Sequence, residues 1–323
     1  MSAVSLQRRL STDPRWREMG PLHLLHQARY HAYSIWLFTR SDIKTIILPS
    51  LLFSLLTAPA LALFDITTPS LALVRRLPLT LFWIWINLLP FAIDNQRQSD
   101  AIAEDGINKP WRVLPSRRMT PRQATILMCC LYPTAVASSL VLGGLEQCLC
   151  LIALGFWYND LRGADNGFVI RQVINAAGFN RFAMGALTVL LGDKQQFIQT
   201  RSFFIWQLIL AGIVSTTVQT QDMYDQEGDA ERGRHTVPLD LGDGLARWTI
   251  AVPMTLWCIF CPLFVDSPLI GFAISVSMGL LIAIRCLLFR SVASDKITFI
   301  MWNSWLVSIY SLPLLTVAWK QAS

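Results

Sequence analysis

The chain has 323 residues, of which 53% are hydrophobic and only 15% are charged, and its mean hydropathy is +0.44. Soluble domains carry about 25% charged residues, so this composition excludes an ordinary soluble enzyme and indicates an integral membrane protein. The net charge of +6 requires no nucleic-acid partner, because the basic excess of cytosolic loops in a membrane protein accounts for it.

Nine apolar runs are about as long as a helix needs to cross the hydrocarbon core of a bilayer. They are 44–64, 78–94, 122–142, 146–158, 170–191, 203–221, 246–265, 268–288 and 299–318. These runs predict an all-α bundle of nine transmembrane helices, the fourth of them short. Residues 1–43 are polar and basic and show no apolar segment with a small-residue cleavage site. We expect them to form a cytosolic or interfacial segment ahead of one transmembrane catalytic domain, 44–323.

The distribution of positive charge orients this bundle. With nine spans, all but six of the 27 Lys and Arg residues lie on the same side of the membrane as the N-terminal segment. The exceptions are Arg75, Arg76, Arg181, Lys194, Arg201 and Lys320. Because cytosolic loops are rich in Lys and Arg, the N-terminal side is predicted to be the cytosol. Both acidic motifs described below fall on that side, which predicts a cytosolic polar cap over a central cavity.

The first acidic cluster follows the second span. Its members are Asp94, Asn95, Asp100, Glu104 and Asp105. Asp100 and Glu104 are i, i+4 neighbours, whereas Asn95 and Asp105 meet only if the helix ends or bends between them. Mg²⁺ prefers oxygen ligands, so the cluster is a candidate metal site in which the spacing does not select the individual ligands.

Four cations follow the first cluster, namely Lys109, Arg112, Arg117 and Arg118. Lys and Arg side chains could hold phosphate oxygens as negative charge leaves a substrate. The alternative is a basic patch beside the membrane that binds anionic lipid, and it applies mainly to Arg117 and Arg118.

A third polar segment, 158–163, follows the fourth span, and the fifth span opens with Arg171, Gln172 and Asn175. Polar groups within a membrane protein need partners, which a diphosphate or its metal could supply. Hydrogen bonds between helices explain Gln172 and Asn175 almost as well. The candidate substrate-binding residues of this region are Tyr158, Asn159, Arg171 and Asn175.

The second acidic motif, 222–229, places Asp222, Asp225 and Asp229 at positions i, i+3 and i+7. On a helix these positions lie within about 60° of one another, so the three carboxylates would share one face. Such acids repel each other unless a cation lies between them, and Mg²⁺ completed by substrate phosphates suits that face. A solvated helix end paired with Arg232 and Arg234 is the alternative, but it does not explain the matching first cluster.

Aromatic residues are frequent in and near the spans, including Trp83, Trp85, Phe91, Trp157, Tyr158, Phe179 and Trp302. Rings that line a cavity could stabilise a carbocation and exclude water from it. Lipid-facing or interfacial positions explain most of these residues equally well.

At its motifs the chain resembles the UbiA superfamily of intramembrane prenyltransferases. The pattern of that family is Asn-Asp-x-x-Asp-x-x-x-Asp, then Asn-Lys-Pro-x-Arg-Pro, and later Asp-x-x-Asp-x-x-Gly-Asp. Residues 222–229 match the last motif in full, and 108–112 match the middle motif, except that Val113 replaces its final proline. The resemblance extends over essentially all nine spans.

The first family motif is altered in this chain. Gln96 and Ser99 stand where two acids are expected after Asn95, and two extra residues precede Asp105. This departure is accompanied by three further similar segments, 36–42, 158–160 and 221–234. Together they look like the fungal UbiA-type terpene cyclases, a subgroup that the resemblance implies to cyclise farnesyl diphosphate in secondary metabolism instead of joining a prenyl chain to an acceptor.

The resemblance implies Mg²⁺-assisted ionisation of a prenyl diphosphate, followed by attack of an alkene of the same molecule on the allylic cation. The implied metal-binding residues are Asn95, Asp100, Glu104, Asp105, Asp222, Asp225 and Asp229, and the catalytic residues among them are Asp105, Asp222, Asp225 and Asp229. The implied substrate-binding residues are Lys109, Arg112, Tyr158, Asn159, Arg171, Asn175, Arg232 and Arg234. We expect a multi-pass protein of the endoplasmic reticulum whose site faces the cytosol, with the bilayer and farnesyl diphosphate as partners and no obligate protein partner.

Three other functions are consistent with parts of the pattern. Transfer of the prenyl group to an aromatic acceptor would use the same motifs, and only dependence on an acceptor separates it from cyclisation. A transporter or lipid-binding protein would place charged residues near the middle of the membrane, where the spans carry almost none apart from Arg181. A catalytically inactive scaffold would explain the altered first motif.

Overall fold

A computed structural model of the protein describes residues 21–66, 73–192 and 200–323. Within these ranges all regular secondary structure is helical, as a bilayer requires, because no water is present there to satisfy an open backbone. The α-helices are α1 (Pro21–Thr39), α2 (Leu48–Thr57), α3 (Leu73–Arg97), α4 (Ser99–Asn108), α5 (Pro121–Leu142), α6 (Leu145–Asn159), α7 (Phe168–Leu191), α8 (Arg201–Thr217), α9 (Gln226–Arg232), α10 (Val237–Leu241), α11 (Asp243–Phe264), α12 (Leu269–Leu288) and α13 (Val292–Ala322).

Eight helical segments of the described ranges are long and apolar enough to cross a membrane. The fourth predicted span corresponds to α6, which has 15 residues. At 1.5 Å per residue α6 is about 22 Å long, short of the ~30 Å hydrocarbon core. The all-α integral membrane fold is therefore confirmed, whereas the count of nine spans is not.

The helical segment that contains the first predicted span begins before residue 44. It runs from Leu25 to Phe64, because α1 continues through a 3₁₀ turn (Arg40–Asp42) and a π-helix (Ile43–Ile47) into α2. The proposed boundary between residues 43 and 44 thus falls inside a continuous helical segment. The first twenty residues of the predicted N-terminal segment, and Lys194, lie outside the described residues.

Helices α3 and α7 form the centre of one half of the bundle. The indole of Trp83 is fully buried there and donates a hydrogen bond to Ser139 Oγ at 2.9 Å. A Cβ on Gly185 would collide with the Trp83 ring, so glycine is needed for the close approach of these two helices. The same two helices carry Phe91 and Phe179 toward the interior of the bundle, where both line a cavity.

The other half of the bundle contains α11, α12 and α13, which a buried ion-pair cluster joins. The Arg247 guanidinium contacts both Asp295 carboxylate oxygens, at 2.8 and 2.9 Å, and donates to the Cys286 carbonyl at 2.8 Å. Asp243, one turn before Arg247, accepts two further hydrogen bonds from it at 2.9 Å. This cluster fixes the first turn of α13 against its neighbours, directly before Lys296, Phe299 and Ile300, which line the cavity.

Candidate active site

The two acidic motifs meet at one end of the bundle, where α4 packs against α9. Asn108 joins them directly: its amide nitrogen donates to the Asp225 carbonyl at 3.0 Å, and its amide oxygen accepts from the Gly228 backbone N–H at 3.3 Å. A Cβ on Gly228 would collide with the Asn108 side chain, so this glycine of the second acidic motif makes room for Asn108, the last residue of α4. Lys109 adds an ion pair of 2.9 Å to Asp225.

The second motif is not one continuous helix. A 3₁₀ turn (Val218–Gln221) ends just before Asp222, Asp225 is the N-cap of α9, and only Asp229 lies within that helix. The prediction that these three acids share one helical face is therefore wrong. The physical reason is that each carboxylate pairs with a cation from a different part of the chain, and those pairs decide the local backbone.

Each acid of the second motif has its own basic partner. Arg171 donates to Asp222 at 2.9 Å and also to the Tyr158 hydroxyl at 2.8 Å. Arg234 donates to Asp229 at 3.1 Å. Buried carboxylates of this kind require such partners, because an unpaired charge in a dry environment costs several kcal/mol.

The first motif is divided between two ion-pair networks. Asp105 receives two hydrogen bonds from one guanidinium nitrogen of Arg112, at 2.7 and 2.9 Å. Glu104 instead reaches across to the second motif, where it accepts from Arg234 at 2.8 Å and from Arg232 at 3.1 Å. The motifs are thus joined by charge pairs as well as by Asn108.

Three other predicted residues differ in their surroundings. Asp100 is partly exposed and lies 3.4 Å from Arg162. Asn159 is buried against Asp94, to which it donates at 3.3 Å, so it supports the end of α3. The buried amide oxygen of Asn95 has no hydrogen-bond partner among the described residues.

Asp165 is a member of the site that sequence reasoning missed. It is buried and accepts from Arg232 at 3.3 Å and from Arg234 at 3.2 Å, while its carbonyl accepts from the His235 backbone at 3.1 Å. It lies two residues beyond the third polar segment, in a loop without a recognisable motif. An isolated acid close to a singled-out polar segment was the available signal.

The paired acids and cations of the two motifs, called the polar cap from here on, border a cavity of about 700 Å³, within the range of roughly 300–1,000 Å³ that is typical of ligand sites. The predicted site residues that line it are Asn95, Glu104, Lys109, Arg112, Tyr158, Arg171, Asn175, Asp225 and Arg234. Asp100, Asp105, Asn159, Asp222, Asp229 and Arg232 do not line it. They lie behind the wall, where most of them hold the cations and the second motif in position.

Part of the cavity lining is aromatic. Phe91, Tyr158 and Phe179 line both the main cavity and a smaller apolar recess of about 60 Å³ beside it. Phe299 also lines the cavity and stacks on Trp302, with ring centroids 5.6 Å apart and an interplanar angle of 12°. The lining of one cavity therefore combines charged groups with aromatic rings.

Burial dominates the electrostatics of the acids behind the wall. It raises the pKa of Asp105, against the opposing effect of the Arg112 charge, and it likewise raises the pKa of Asp222. Burial raises the pKa of Asp229 to about 7, although the nearby guanidinium groups of Arg171 and Arg234 favour the ionised form. All three carboxyl groups therefore have a pKa above that of an exposed acid, and burial is the main cause.

The donor set suits an oxygen-ligated cation. Among the described residues no three acidic, histidine or cysteine side chains are grouped as a preformed metal cage. Two buried oxygens without a hydrogen-bond partner are nevertheless present, Asn95 Oδ1 and Asp229 Oδ2, one in each acidic motif. Free carboxylate and amide oxygens are the ligands that Mg²⁺ takes, and Mg²⁺ commonly completes its shell with substrate phosphates.

Comparison with known proteins gives the class of this fold and site. The UbiA prenyltransferase family model matches residues 51–307, well over half of the chain. The solved structure of a UbiA homolog from Archaeoglobus fulgidus bound to GPP and Mg²⁺ superposes with a TM-score of 0.55, at 13% identity, over 85% of this chain and 99% of that one. The chain belongs to the UbiA prenyltransferase family, and it is an integral membrane enzyme of that family.

Relatives within the family include proteins named for two kinds of reaction. Fumagillin beta-trans-bergamotene synthase of Aspergillus fumigatus is 29% identical over 285 residues, which cover 87% of this chain and 91% of the relative. A polyprenyl transferase of Hericium erinaceus is 27% identical over 202 residues, which cover 58% of this chain and 63% of the relative. The sequence resemblance to the family is confirmed, and terpene synthases and prenyltransferases are both among its relatives.

Proposed function

We propose that the protein is a membrane-bound terpene cyclase that ionises farnesyl diphosphate with the help of Mg²⁺ and closes the chain to a sesquiterpene. The observation that carries the proposal is the cavity, whose lining combines charged side chains of both acidic motifs with several aromatic rings. A prenyl diphosphate likewise combines a charged diphosphate group with an apolar prenyl chain. The similarity to a bergamotene synthase over most of both chains favours cyclisation.

The proposed reaction balances without an external reagent. The C–O bond to the diphosphate breaks and its electron pair leaves with the diphosphate. An alkene of the same molecule then attacks the allylic cation, forming a C–C bond, and the resulting carbocation loses a proton to the released diphosphate. Bound Mg²⁺ would act as a Lewis acid for the departing diphosphate, held by Asp222, Asp225 and Asp229 with Asn95 and Asp105.

The cations of the site would assist by changing partners. Lys109 and Arg171, now paired with Asp225 and Asp222, would turn from these carboxylates to diphosphate oxygens when the carboxylates take other ligands. Charge-assisted hydrogen bonds to phosphate are among the stronger polar contacts in proteins, so the exchange replaces one good contact by another. The ion pairs thereby keep the acids and bases of the site oriented between reactions.

The aromatic walls would protect the cation. Phe91 and Tyr158 meet edge to face with ring centroids 5.7 Å apart, and Phe179 meets Trp302 in the same way at 6.1 Å. Ring faces attract a cation that is removed from water, by about 2 kcal/mol when fully desolvated. Exclusion of water also prevents capture of the cation as an alcohol.

The test is to incubate membranes that contain the protein with farnesyl diphosphate and Mg²⁺, without an acceptor, and to analyse volatile hydrocarbons by gas chromatography and mass spectrometry. A cyclic hydrocarbon that is absent with Asp225→Ala supports the cyclase. No hydrocarbon, but prenylation of an added aromatic acceptor, would instead establish the transferase to which the Hericium erinaceus relative points. The proposal includes a cytosolic site in the endoplasmic reticulum, which protease protection in sealed microsomes checks.

A further inference from the structure

The cations predicted from the motifs are already neutralised by carboxylates of the protein. Of those that line the cavity, Lys109 pairs with Asp225 at 2.9 Å and Arg112 with Asp105 at 2.7 Å. Arg171 and Arg234 are likewise paired with acids at 2.8–3.1 Å. Their charge is therefore largely compensated before any ligand arrives.

Three further cations line the cavity wall, namely Arg40, Lys44 and Lys296. Arg40 is exposed, has no ion pair or hydrogen bond among the described residues, and lies 4.6 Å from the centre of the Trp111 ring.

Lys44, in the π-helix, and Lys296, just after the first turn of α13, line the cavity, and neither has an ion pair or hydrogen bond within the described part of the chain. The Lys44 ammonium lies 5.4 Å from the centre of the Phe299 ring, and that of Lys296 lies 5.9 Å from the Tyr224 ring. These two rings contact each other, with centroids 5.8 Å apart.

Both ammonium groups thus rest on one aromatic pair, beside the turn that carries Asp225. The carboxylate of Asp42 also lines the cavity without an ion pair among the described residues, and it offsets only one of the two charges. Like charges gathered at a cavity wall favour an anionic ligand, because they repel each other until one binds.

The backbone around the two lysines is held in place. Lys296 follows Asp295, whose buried pair with Arg247 anchors the start of α13. Lys44 lies in a π-helical turn, a local winding that costs regular hydrogen bonds and is frequent at functional sites. Neither position belongs to the acidic motifs or to the basic residues that follow them.

We propose that Lys44 and Lys296 form the subsite that binds the diphosphate group, as substrate or as released product. Lysine ammonium groups are point charges with three donors each and suit the several oxygens of a diphosphate. This inference rests on the proposed function for the identity of the anion. The motif cations then contact the diphosphate second, after the carboxylates that pair with them have turned to other ligands.

The direct test measures binding of inorganic pyrophosphate with Mg²⁺ to the purified full-length protein, by calorimetry and by the shift of the thermal unfolding temperature. We expect Lys44→Gln and Lys296→Gln each to weaken binding roughly tenfold to a hundredfold, as for loss of a hydrogen bond to a charged group. Lys44→Arg and Lys296→Arg should retain most of the affinity. The matched control is Lys320→Gln, at the far end of α13, where Lys320 pairs with exposed Asp266 at 3.3 Å.

Kinetics with farnesyl diphosphate separate the two forms of the ligand. A raised KM in the glutamine variants shows that the subsite takes the substrate, whereas an unchanged KM with weaker inhibition by pyrophosphate shows that it takes the product. Pyrophosphate binding that is unchanged when both Lys44→Gln and Lys296→Gln are present overturns the inference. That result is expected if the two lysines contact only lipid headgroups. If Lys44→Gln does not fold, pyrophosphate binding by Lys296→Gln and by the arginine variants tests the subsite.

The failure of this inference is distinguishable from failure of the proposed function. Hydrocarbon formation by a double Gln variant with normal pyrophosphate binding leaves the cyclase standing and removes the subsite. Lysine-dependent pyrophosphate binding in a protein that yields no hydrocarbon keeps the subsite and removes the cyclase.

Discussion

Two clusters of buried charge in this protein have opposite character. In the Arg247 cluster all three guanidinium nitrogens donate hydrogen bonds, to Asp243, Asp295 and the Cys286 carbonyl. In the polar cap, by contrast, buried polar atoms remain without a hydrogen-bond partner among the described residues, including Arg112 Nε, Arg171 Nε and Asp229 Oδ2. The cap borders a large cavity, and no pocket described above touches Arg247.

The difference shows that buried charge by itself does not mark a functional site. A fully satisfied cluster has no capacity left for a ligand and serves to fix helices. An incompletely satisfied cluster beside a cavity costs stability, which proteins accept where a ligand completes the set. The sequence pattern alone cannot separate the two cases, since both consist of Asp and Arg a few residues apart.

The largest expected effect concerns the polar cap, the cluster of the two that borders the cavity. Asp225→Ala should reduce hydrocarbon formation from farnesyl diphosphate by at least about 1,000-fold, or roughly 4 kcal/mol of transition-state stabilisation, because it removes a proposed metal ligand. Gas chromatography of timed incubations measures the loss. Asp266→Ala, an exposed acid near the other end of the bundle, is the control and should leave the rate unchanged.

Near-normal turnover by Asp225→Ala would contradict the assignment of a metal to the second motif. Parallel measurements of the unfolding temperature show whether the variant is folded.

The next effect concerns the structural cluster. Arg247→Leu should lower the free energy of unfolding by about 3–5 kcal/mol, because it leaves the buried Asp295 carboxylate without its partner. Arg290→Leu is the matched control, since Arg290 reaches the same Asp243 at 4.0 Å from an exposed position and should cost less than about 1 kcal/mol. Denaturant unfolding of the purified proteins measures both.

Because the Arg247–Asp295 pair also anchors the residues next to Lys296, the folded fraction of Arg247→Leu should show a modestly raised KM for farnesyl diphosphate and an unchanged kcat. A large change in KM without loss of stability would mean that this cluster belongs to the site after all.

A smaller effect tests the join between the two motifs. Gly228→Ala should weaken Mg²⁺ binding and cost about 1–3 kcal/mol of stability, because the new methyl group collides with the Asn108 side chain. In an Asn108→Ala background the same change should cost much less, since the space is then free. A double-mutant cycle of unfolding free energies tests this coupling, and strictly additive effects would rule it out.

The smallest effect is a dependence on pH. Asp229 has a pKa of about 7 in the folded protein, above its ordinary value of 3.8, so its contribution to stability is full below pH 4 and is lost as the pH rises through 7. Mg²⁺ binds the ionised carboxylate, so its stabilising effect should increase from pH 6 to pH 8, by up to about tenfold in affinity per pH unit below 7.

Thermal unfolding with and without Mg²⁺ at the two pH values measures this trend. Asp229→Asn should flatten it, and an equal Mg²⁺ effect at pH 6 and pH 8 in the wild type would show that this carboxylate does not hold the metal.

Much of the architecture follows from the sequence, because apolar length and the absence of water in a bilayer permit little besides helices. Motif spacing likewise located Glu104, Lys109, Arg112 and Asp225 at one cavity. The assignment of metal to the acids and of diphosphate to the motif cations stays a prediction. Spacing failed for the second motif, since the helical-face argument assumes a regular helix and the chain turns at Asp222 to meet Arg171.

The sequence by itself determined the membrane class, the helical fold and the residues that the two acidic motifs bring to the site, because hydrophobic length and local charge are properties of short segments. Only the tertiary structure decided which acid pairs with which cation, since partners more than 50 residues apart, such as Asp222 with Arg171, meet through helix packing. It also decided that Asp165 pairs with Arg232 and Arg234, and that Lys44 and Lys296 have no ion pair within the described ranges. Each of these outcomes depends on which charged groups the packing of the helices brings together and which it leaves without a partner.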